Sequence, residues 1–298
     1  MWYNCREIVF WSYLMEFLHE IIHHVGHPFI ETLKMVPILF LAYLFMEWLE
    51  HTSSNKLTSF VKKSRTVGPA LGGLLGLIPQ CGFSGAIAGM YAAGTVTVGT
   101  LLAVILATSD EMLPMMVSAR LPITFVLVVL VLKFVVGAVT GFTADGILRF
   151  LRREQEEHIH EFCEQENCSC KDGVWLSAIK HTLKIALIIF VISVILHNIV
   201  ELVPREALVT LLNFPVLSQI AASLFGLIPS CAVSVTLTQL YIDGVLGAGP
   251  LLCGLMTNGG VGLLVLYRVN RNLKSNLIIT LTVFLVGLAA GSLAGIFF

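Results

Sequence analysis

The sequence predicts an all-α polytopic membrane protein, made of two inverted five-element repeats with proline-broken half-helices. Three observations predict this fold class: an apolar composition, an internal duplication with a fixed spacing, and an alternating distribution of basic residues. Hydrophobic residues make up 56% and charged residues 12% of the 298 positions, against roughly 45–50% and about 25% in soluble domains. Most of the chain must therefore be surrounded by lipid.

The duplication is visible in one nine-residue segment that occurs twice. Residues 76–84, GLIPQCGFS, return as residues 226–234, GLIPSCAVS, at a spacing of 226 − 76 = 150 residues. The same spacing aligns further residues without a gap, including Tyr91 with Tyr241, Gly94 with Gly244 and Gly137 with Gly287. Two copies whose hydrophobic segments are broken at matching places are typical of secondary transporters.

Residues 1–30 predict an amphipathic helix that lies at the membrane interface. Apolar side chains such as Phe17 and Ile21 alternate there with charged ones such as Glu16 and Glu20. A helix with two such faces carries too many charges to cross a bilayer. The charges also interrupt the only early apolar run, so no cleavable signal peptide is expected.

Each copy then contains five apolar elements in the same order. The first crossings are expected at about 34–49 and 184–200. The next segments, 69–93 and 219–242, contain Pro79 and Pro229 near their middles. A proline removes a backbone hydrogen bond and clashes with the preceding turn, so each segment is expected to form two half-helices. The remaining crossings are expected at 95–117, 122–145, 245–267 and 276–298.

Five elements is an odd number, so the second copy is expected to enter the membrane in the opposite orientation. The Lys and Arg residues test this independently, because basic loops stay on the cytoplasmic side. The loop with Lys56, Lys62, Lys63 and Arg65 has a counterpart with Arg205 alone, whereas the loop with Arg268, Arg271 and Lys274 has a counterpart with Arg120 alone. The predicted units are a first repeat at 31–148, a cytoplasmic linker at 149–175 and a second repeat at 176–298.

The two proline breaks carry the residues that are expected to bind a solute. A break at membrane depth leaves backbone polar groups that only protein or a watered cavity can satisfy, so both breaks should face the interior. A pseudo-two-fold axis would place Cys81 and Cys231 on opposite sides of a central site. Thiolates prefer soft ions such as Cu(I), Zn(II) or trivalent arsenic. The expected substrate-binding residues are Pro79, Gln80, Cys81, Ser84, Pro229, Ser230, Cys231, Ser234 and Asn258.

The alternative for the cysteines is that each is a small residue suited to packing at a kink. Asn258 is included in the site because Asn258-Gly259-Gly260 predicts a second unwound stretch, in which the glycines permit close backbone approach.

A candidate coupling group lies in the first copy only. Thr108, Ser109, Asp110 and Glu111 interrupt an apolar stretch, and Lys133 lies near the centre of a predicted crossing. An ionised group there costs from about 3 to above about 10 kcal/mol, so it needs a partner. We expect Asp110 or Glu111 to pair with Lys133 and to exchange it for a proton or a cationic substrate. The alternative is that the two acids cap a helix break at an interface and Lys133 snorkels.

The linker holds imidazole and thiol groups at high density, namely His158, His160, Cys163, Cys168 and Cys170. Such groups bind Zn(II) or another soft cation. Their spacing fits no standard zinc finger, so a solvated charged loop without a metal is the alternative.

The duplicated Gly-Leu-Ile-Pro-x-Cys segments, the run Ala107-Thr108-Ser109-Asp110-Glu111 and the His/Cys-bearing loop together resemble the ten-transmembrane heavy-metal exporter family, also called arsenic efflux proteins. The resemblance covers nearly the whole chain. It implies a prokaryotic inner (plasma) membrane permease and, by analogy with organoarsenical permeases, export of thiol-seeking species such as trivalent arsenicals. The chain departs from the pattern at Ala232, which stands where the first copy has Gly82, and in a linker with few histidines.

We therefore expect a secondary-active exporter of a soft, thiol-seeking metal or metalloid, coupled to protons, with no enzymatic activity and no cofactor. The expected partners are the solute, protons and membrane lipid, and the oligomeric state is left open. A net charge of −1 gives no sign of nucleic-acid binding, and no Gly-rich nucleotide loop ending in Gly-Lys-Ser/Thr occurs. Three alternatives remain. The first is a transporter of an anionic or sulfur-containing solute held by half-helix amino termini. The others are a membrane-embedded thiol-redox enzyme and a membrane assembly protein that does not transport.

Overall fold

The computed structural model describes residues 67–80, 82–109, 112–150, 174–201 and 215–297, together with scattered positions between 26 and 44. Within these ranges the chain is helical and contains no strand. Most of the predicted interfacial helix at 1–30 and nearly all of the linker at 149–175 lie outside the described residues. The prediction of an all-α fold is confirmed.

The described helices follow the two copies in chain order. In the first copy they are α1 (Thr32–Leu41), α2 (Val67–Gly76), α3 (Gly82–Ala92), α4 (Val98–Ala107), α5 (Met112–Ser118) and α6 (Ile123–Phe150). In the second copy they are α7 (Val174–Glu201), α8 (Pro215–Gly226), α9 (Cys231–Ile242), α10 (Ala248–Thr257), α11 (Val261–Val269) and α12 (Leu273–Ala294).

The duplication extends to backbone geometry. Helices α4 and α10 begin and end at residues that are 150 positions apart, as do the ends of α2 and α8. After the half-helices α3 and α9, Gly94 has φ 75° and Gly244 has φ 74°. Each of these glycines donates its N–H to the carbonyl of the matching tyrosine, Tyr91 or Tyr241. The left-handed conformation favours glycine, which explains why the same residue recurs at this turn.

The predicted crossings at 95–117 and 245–267 are each interrupted near their middles. In the second copy, α10 ends at Asn258, whose φ and ψ of −77° and 97° leave the helical region, and Gly260 follows with φ 52°. In the first copy, α4 ends at Thr108 with ψ 124°. Each copy therefore contains a second helix break besides the proline break.

Among the described residues, four helical segments are long and apolar enough to cross a bilayer, which makes the protein a multi-pass membrane protein. They are Val98–Ser118, Ile123–Phe150, Ala248–Val269 and Leu273–Ala294. Helices α6 and α12 expose large apolar side chains at helical spacing, among them Leu127, Val131 and Val135 in α6 and Leu277, Leu281 and Leu285 in α12. These stripes fit contact with lipid, whereas the side chains of α4 and α10 are nearly all buried.

Small residues allow the buried helices to touch their neighbours backbone to backbone. A Cβ on Gly141 of α6 would overlap the carbonyl oxygen of Gly99 in α4, and a Cβ on Gly291 of α12 would overlap the backbone of Cys253 in α10. The glycine contacts between α4 and α6 thus have a counterpart between α10 and α12. Such close approach is the usual means by which membrane helices associate, since lipid gives no hydrophobic force between them.

The half-helices that follow the proline breaks pack against the opposite copy. Helix α3 of the first copy contacts α11 of the second, and α9 of the second copy contacts α5 of the first. This reciprocal exchange is what a two-fold relation between the copies would produce. Inversion of one copy relative to the bilayer stays a prediction.

Candidate functional site at the helix breaks

The proline break of the second copy buries its polar residues. Ser230 precedes α9 in an extended conformation, and its Oγ accepts the N–H of Ala232 at 3.3 Å. Cys231 opens α9 and is 2% exposed. Its carbonyl oxygen accepts the hydroxyl of Ser234 at 2.8 Å, and Ser234 is equally buried. Pro229 is half-buried just before them. A thiol and two hydroxyls therefore surround the start of this half-helix.

The proline break of the first copy is less enclosed. Pro79 is exposed and Gln80 is half-buried. The Gln80 side chain donates to the carbonyl oxygen of Lys34 in α1 at 2.6 Å, which fixes the turn against the first helix. Ser84, one turn into α3, is buried. Cys81 lies outside the described residues, so its predicted pairing with Cys231 stays a prediction.

The break between α10 and α11 lies next to α3. Asn258 is 2% exposed, and its Oδ1 accepts the N–H of Gly260 at 2.9 Å, which stabilises the unwound turn. A Cβ on Gly262, in the first turn of α11, would lie 2.7 Å from the Cβ of Ser84. The glycine therefore lets the second break of one copy approach the half-helix that follows the proline break of the other.

The break after α4 is buried and tied to the end of α2. Thr108 donates its hydroxyl to the carbonyl oxygen of Val104 at 2.7 Å, and Ser109 donates its backbone N–H to the carbonyl oxygen of Gly76 at 3.1 Å. Both side chains are buried. Asp110 and Glu111 follow directly but lie outside the described residues.

These contacts bring the breaks of both copies into one interior region. Ser109 joins the two breaks of the first copy, and Ser84 with Gly262 joins the first copy to the second. On the other side, Met112 and Met116 of α5 belong to one apolar cluster with Val233 and Leu237 of α9. The result is a region where polar backbone groups, hydroxyls and a thiol meet inside an otherwise apolar protein, as a solute site in a membrane requires.

Lys133 of the first copy contacts the second copy close to this region. Its side chain is 1% exposed, and its Nζ donates to the carbonyl oxygen of Leu255 in α10 at 2.6 Å. Leu255 belongs to the last turn of α10, where carbonyl groups lack intrahelical partners and the helix dipole is negative. The ammonium group therefore caps the end of a helix that belongs to the other copy, close to the break at Asn258.

The sequence reasoning missed a buried carboxylate near the carboxyl end of α6. Asp145 is 7% exposed, and its two oxygens accept the hydroxyl of Thr97 at 2.7 Å and the N–H of Gly99 at 2.9 Å. It stabilises the start of α4 by occupying the positive end of that helix. The sequence signal that could have identified Asp145 is a lone acid in the last turns of a long apolar segment.

No group of three or more His, Cys, Asp or Glu side chains that could hold a metal ion occurs in the part of the chain that the structure describes. The predicted linker ligands, His158, His160, Cys163, Cys168 and Cys170, lie outside that part. A metal site in the linker stays a prediction.

Comparison with known proteins identifies the family of the chain. The ArsP_2 family model, described as a 10TM heavy-metal exporter, matches residues 16–210, which is well over half of the chain. No curated protein and no solved structure matches. The resemblance predicted from the motifs is confirmed. The chain belongs to the family of ten-transmembrane heavy-metal exporters.

Proposed function

We propose that the chain is a secondary-active exporter of a soft, thiol-seeking metal or metalloid, such as a trivalent arsenical, in the inner membrane of a prokaryote. The family supplies the general class, a heavy-metal exporter. The observation that carries the finer proposal is the buried thiol of Cys231, which opens α9 directly after the proline break of the second copy.

The chemistry of this region suits a soft solute. The amino terminus of a helix stabilises nearby negative charge, and thiolates are preferred ligands of soft metals. Cys231 would bind the solute, with Cys81 as its partner from the first copy. Ser230 and Ser234 are buried beside Cys231, and Asn258 and Ser84 line the adjoining break. We assign the substrate to these residues, together with Gln80 and the two prolines that produce the breaks.

Proton coupling is proposed for the group around Lys133. The Lys133 ammonium joins α6 to the end of α10, and Asp110 and Glu111 follow the buried Thr108 and Ser109 directly in sequence. A proton or a cationic solute that neutralises one of these acids would change the partners of Lys133 and release the end of α10. Binding at the breaks would thereby be linked to movement of one copy against the other.

The test is export by purified protein in liposomes, with methylarsenite as the solute and an imposed pH gradient. The double variant Cys81→Ser, Cys231→Ser is expected to lose export, because a hydroxyl replaces the soft ligand at nearly constant volume. The matched control is Cys5→Ser, which removes a thiol from the predicted interfacial helix and is expected to retain export. Unaltered export by the first variant rejects the role of the two cysteines.

One observation favours a second candidate, a transporter of an anionic or sulfur-containing solute. Helix α11 begins at Gly260 without a side-chain cap, and the amino terminus of a helix attracts an anion. Inhibition of flux by sulfite or thiosulfate, with no competition by arsenicals, would support this candidate in the same assay. Reversible disulfide formation during turnover without any flux would instead support the thiol-redox enzyme.

A further inference from the structure

Helix α9 carries three buried polar side chains along one face. Cys231, Ser234 and Thr238 follow one another at intervals of three and four residues, which places them in one row on the helix surface. They are 2%, 2% and 0% exposed. We call these three residues the polar row. It begins at the thiol that is proposed to bind the solute and continues for roughly 10 Å along the helix, since the rise is about 1.5 Å per residue.

The hydroxyl of Thr238 lacks a hydrogen-bond partner within the part of the chain that the structure describes. Its neighbours on α9 behave differently. Ser234 donates its hydroxyl to the carbonyl oxygen of Cys231 at 2.8 Å, and Thr236 donates to the carbonyl oxygen of Ala232 at 2.8 Å. A threonine in a helix can satisfy its hydroxyl in this way, through a carbonyl of the preceding turn. Thr238 does not, so its hydroxyl is available to a ligand.

The fold does not require a hydroxyl at this position. The aligned residue of the first copy is Ala88, which is also fully buried. A buried hydroxyl without a partner costs free energy, and such a group in a native protein calls for a reason, a bound ligand among them. A polar group of a solute that moves along the polar row would satisfy Thr238.

We propose that the Thr238 hydroxyl binds a hydroxyl group of the exported solute, in a second subsite roughly two helical turns from Cys231. Binding there is by hydrogen bonds alone, and no covalent bond forms or breaks. Helix α9 contains no Asp, Glu, Lys, Arg or His, so it offers no counter-charge to an ion at membrane depth. The solute is therefore a neutral one that bears hydroxyl groups, such as a trivalent arsenical in its As–OH form. This inference rests on the proposed function and specifies its substrate class.

The test compares variants of the full-length chain by two measurements, export of methylarsenite from liposomes and the melting temperature in detergent without solute. Thr238→Val replaces the hydroxyl by a methyl group. We expect the initial rate of export to fall about fivefold, as loss of one hydrogen bond would cause. The melting temperature should stay equal or rise, because an unpartnered buried hydroxyl is removed. Thr238→Ser keeps the hydroxyl and loses a methyl group, so it should retain export although it melts at a lower temperature.

The matched control is Thr236→Val, which removes a hydroxyl that already has a backbone partner on the same helix. It should leave export unchanged. A Thr238 hydroxyl that serves packing, or that holds a buried water, would stabilise the fold. Thr238→Val would then lower the melting temperature or fail to fold, and either result overturns the proposal.

The same assay separates this inference from the proposed function. If the natural chain does not export methylarsenite, the proposed function is rejected and this inference with it. If the natural chain exports methylarsenite and Thr238→Val exports it equally fast, this inference alone is rejected. Loss of export in both Thr238→Val and Thr238→Ser also rejects it, because the second variant still has the hydroxyl.

Discussion

Lys133 is the residue whose environment most constrains the mechanism. Burial of an ion costs several kcal/mol even after the protein relaxes, unless partners compensate. The carbonyl oxygen of Leu255 is one such partner. It belongs to the second copy, so the first copy contributes the buried ion and the second copy contributes a group that stabilises it. The second copy has Val283 at the aligned position, fully buried and apolar. Lys133 is therefore dispensable for the repeat itself, which fits a role in coupling.

We predict that Lys133→Met lowers both transport and stability. The substitution leaves the buried Leu255 carbonyl without this donor, which costs about 1–3 kcal/mol, and the melting temperature in detergent should fall accordingly. Thr143→Ala, an exposed position on the same helix, is the control and should change neither quantity. If Asp110 is coupled to Lys133, Asp110→Asn will add little to the transport defect of Lys133→Met. Additive defects would contradict the coupling.

At the scale of the helix, the break is the unit that the two copies share. The ends of α2 and α8 show this, because a Cβ on Gly76 would lie 2.8 Å from the carbonyl oxygen of Val104, and Gly226 contacts the aligned residue Gly254 in the same way. Helices α2 and α8 therefore stop where glycine lets them touch α4 and α10, respectively. The proline then prevents the helix from continuing, and the next half-helix begins with polar residues in the protein interior.

We predict that Gly291→Ala lowers the melting temperature, since the added methyl group overlaps the backbone of Cys253. Overpacking of this kind costs about 1–3 kcal/mol. Gly146→Ala in α6 is the matched control, because that glycine is exposed and a Cβ there meets nothing within 4 Å. The control should be neutral or slightly stabilising, because alanine favours helix more than glycine. Equal melting temperatures for the two variants would show that the α10–α12 contact tolerates a larger separation.

At the scale of the whole molecule, the sequence predicts the helical class, the duplication and the proline breaks, because composition, spacing and proline chemistry are local properties. It also indicates that Lys133 needs a partner. It does not predict that the partner includes the carbonyl group of Leu255, which is 122 residues away, or that Thr257 donates to the carbonyl group of Ser223. Such pairs depend on how helices from distant parts of the chain are placed side by side. A position-by-position comparison of the copies would have revealed polar residues that one copy has and the other lacks, since duplicated positions are expected to share polarity.

The orientation of each copy relative to the membrane is a property of the whole molecule. We predict that reporters inserted within residues 51–66 and within residues 202–214 lie on opposite sides of the membrane, as the predicted inversion of the two copies requires. Reporters in the predicted linker at 149–175 and in the loop between α11 and α12 serve as controls and should lie on the same side as residues 51–66. Placement of residues 51–66 and 202–214 on one side would contradict the inverted repeat.

The two reciprocal contacts between the copies differ in the side chains that form them. Helices α3 and α11 meet through Ser84 and Gly262, where there is no room for another atom. Helices α5 and α9 meet in a cluster that contains Met112 and Met116, whose unbranched side chains adapt readily to a changed neighbour. The first contact is suited to act as a fulcrum and the second as a gate, so that water would enter along the methionines while the glycine contact stays closed.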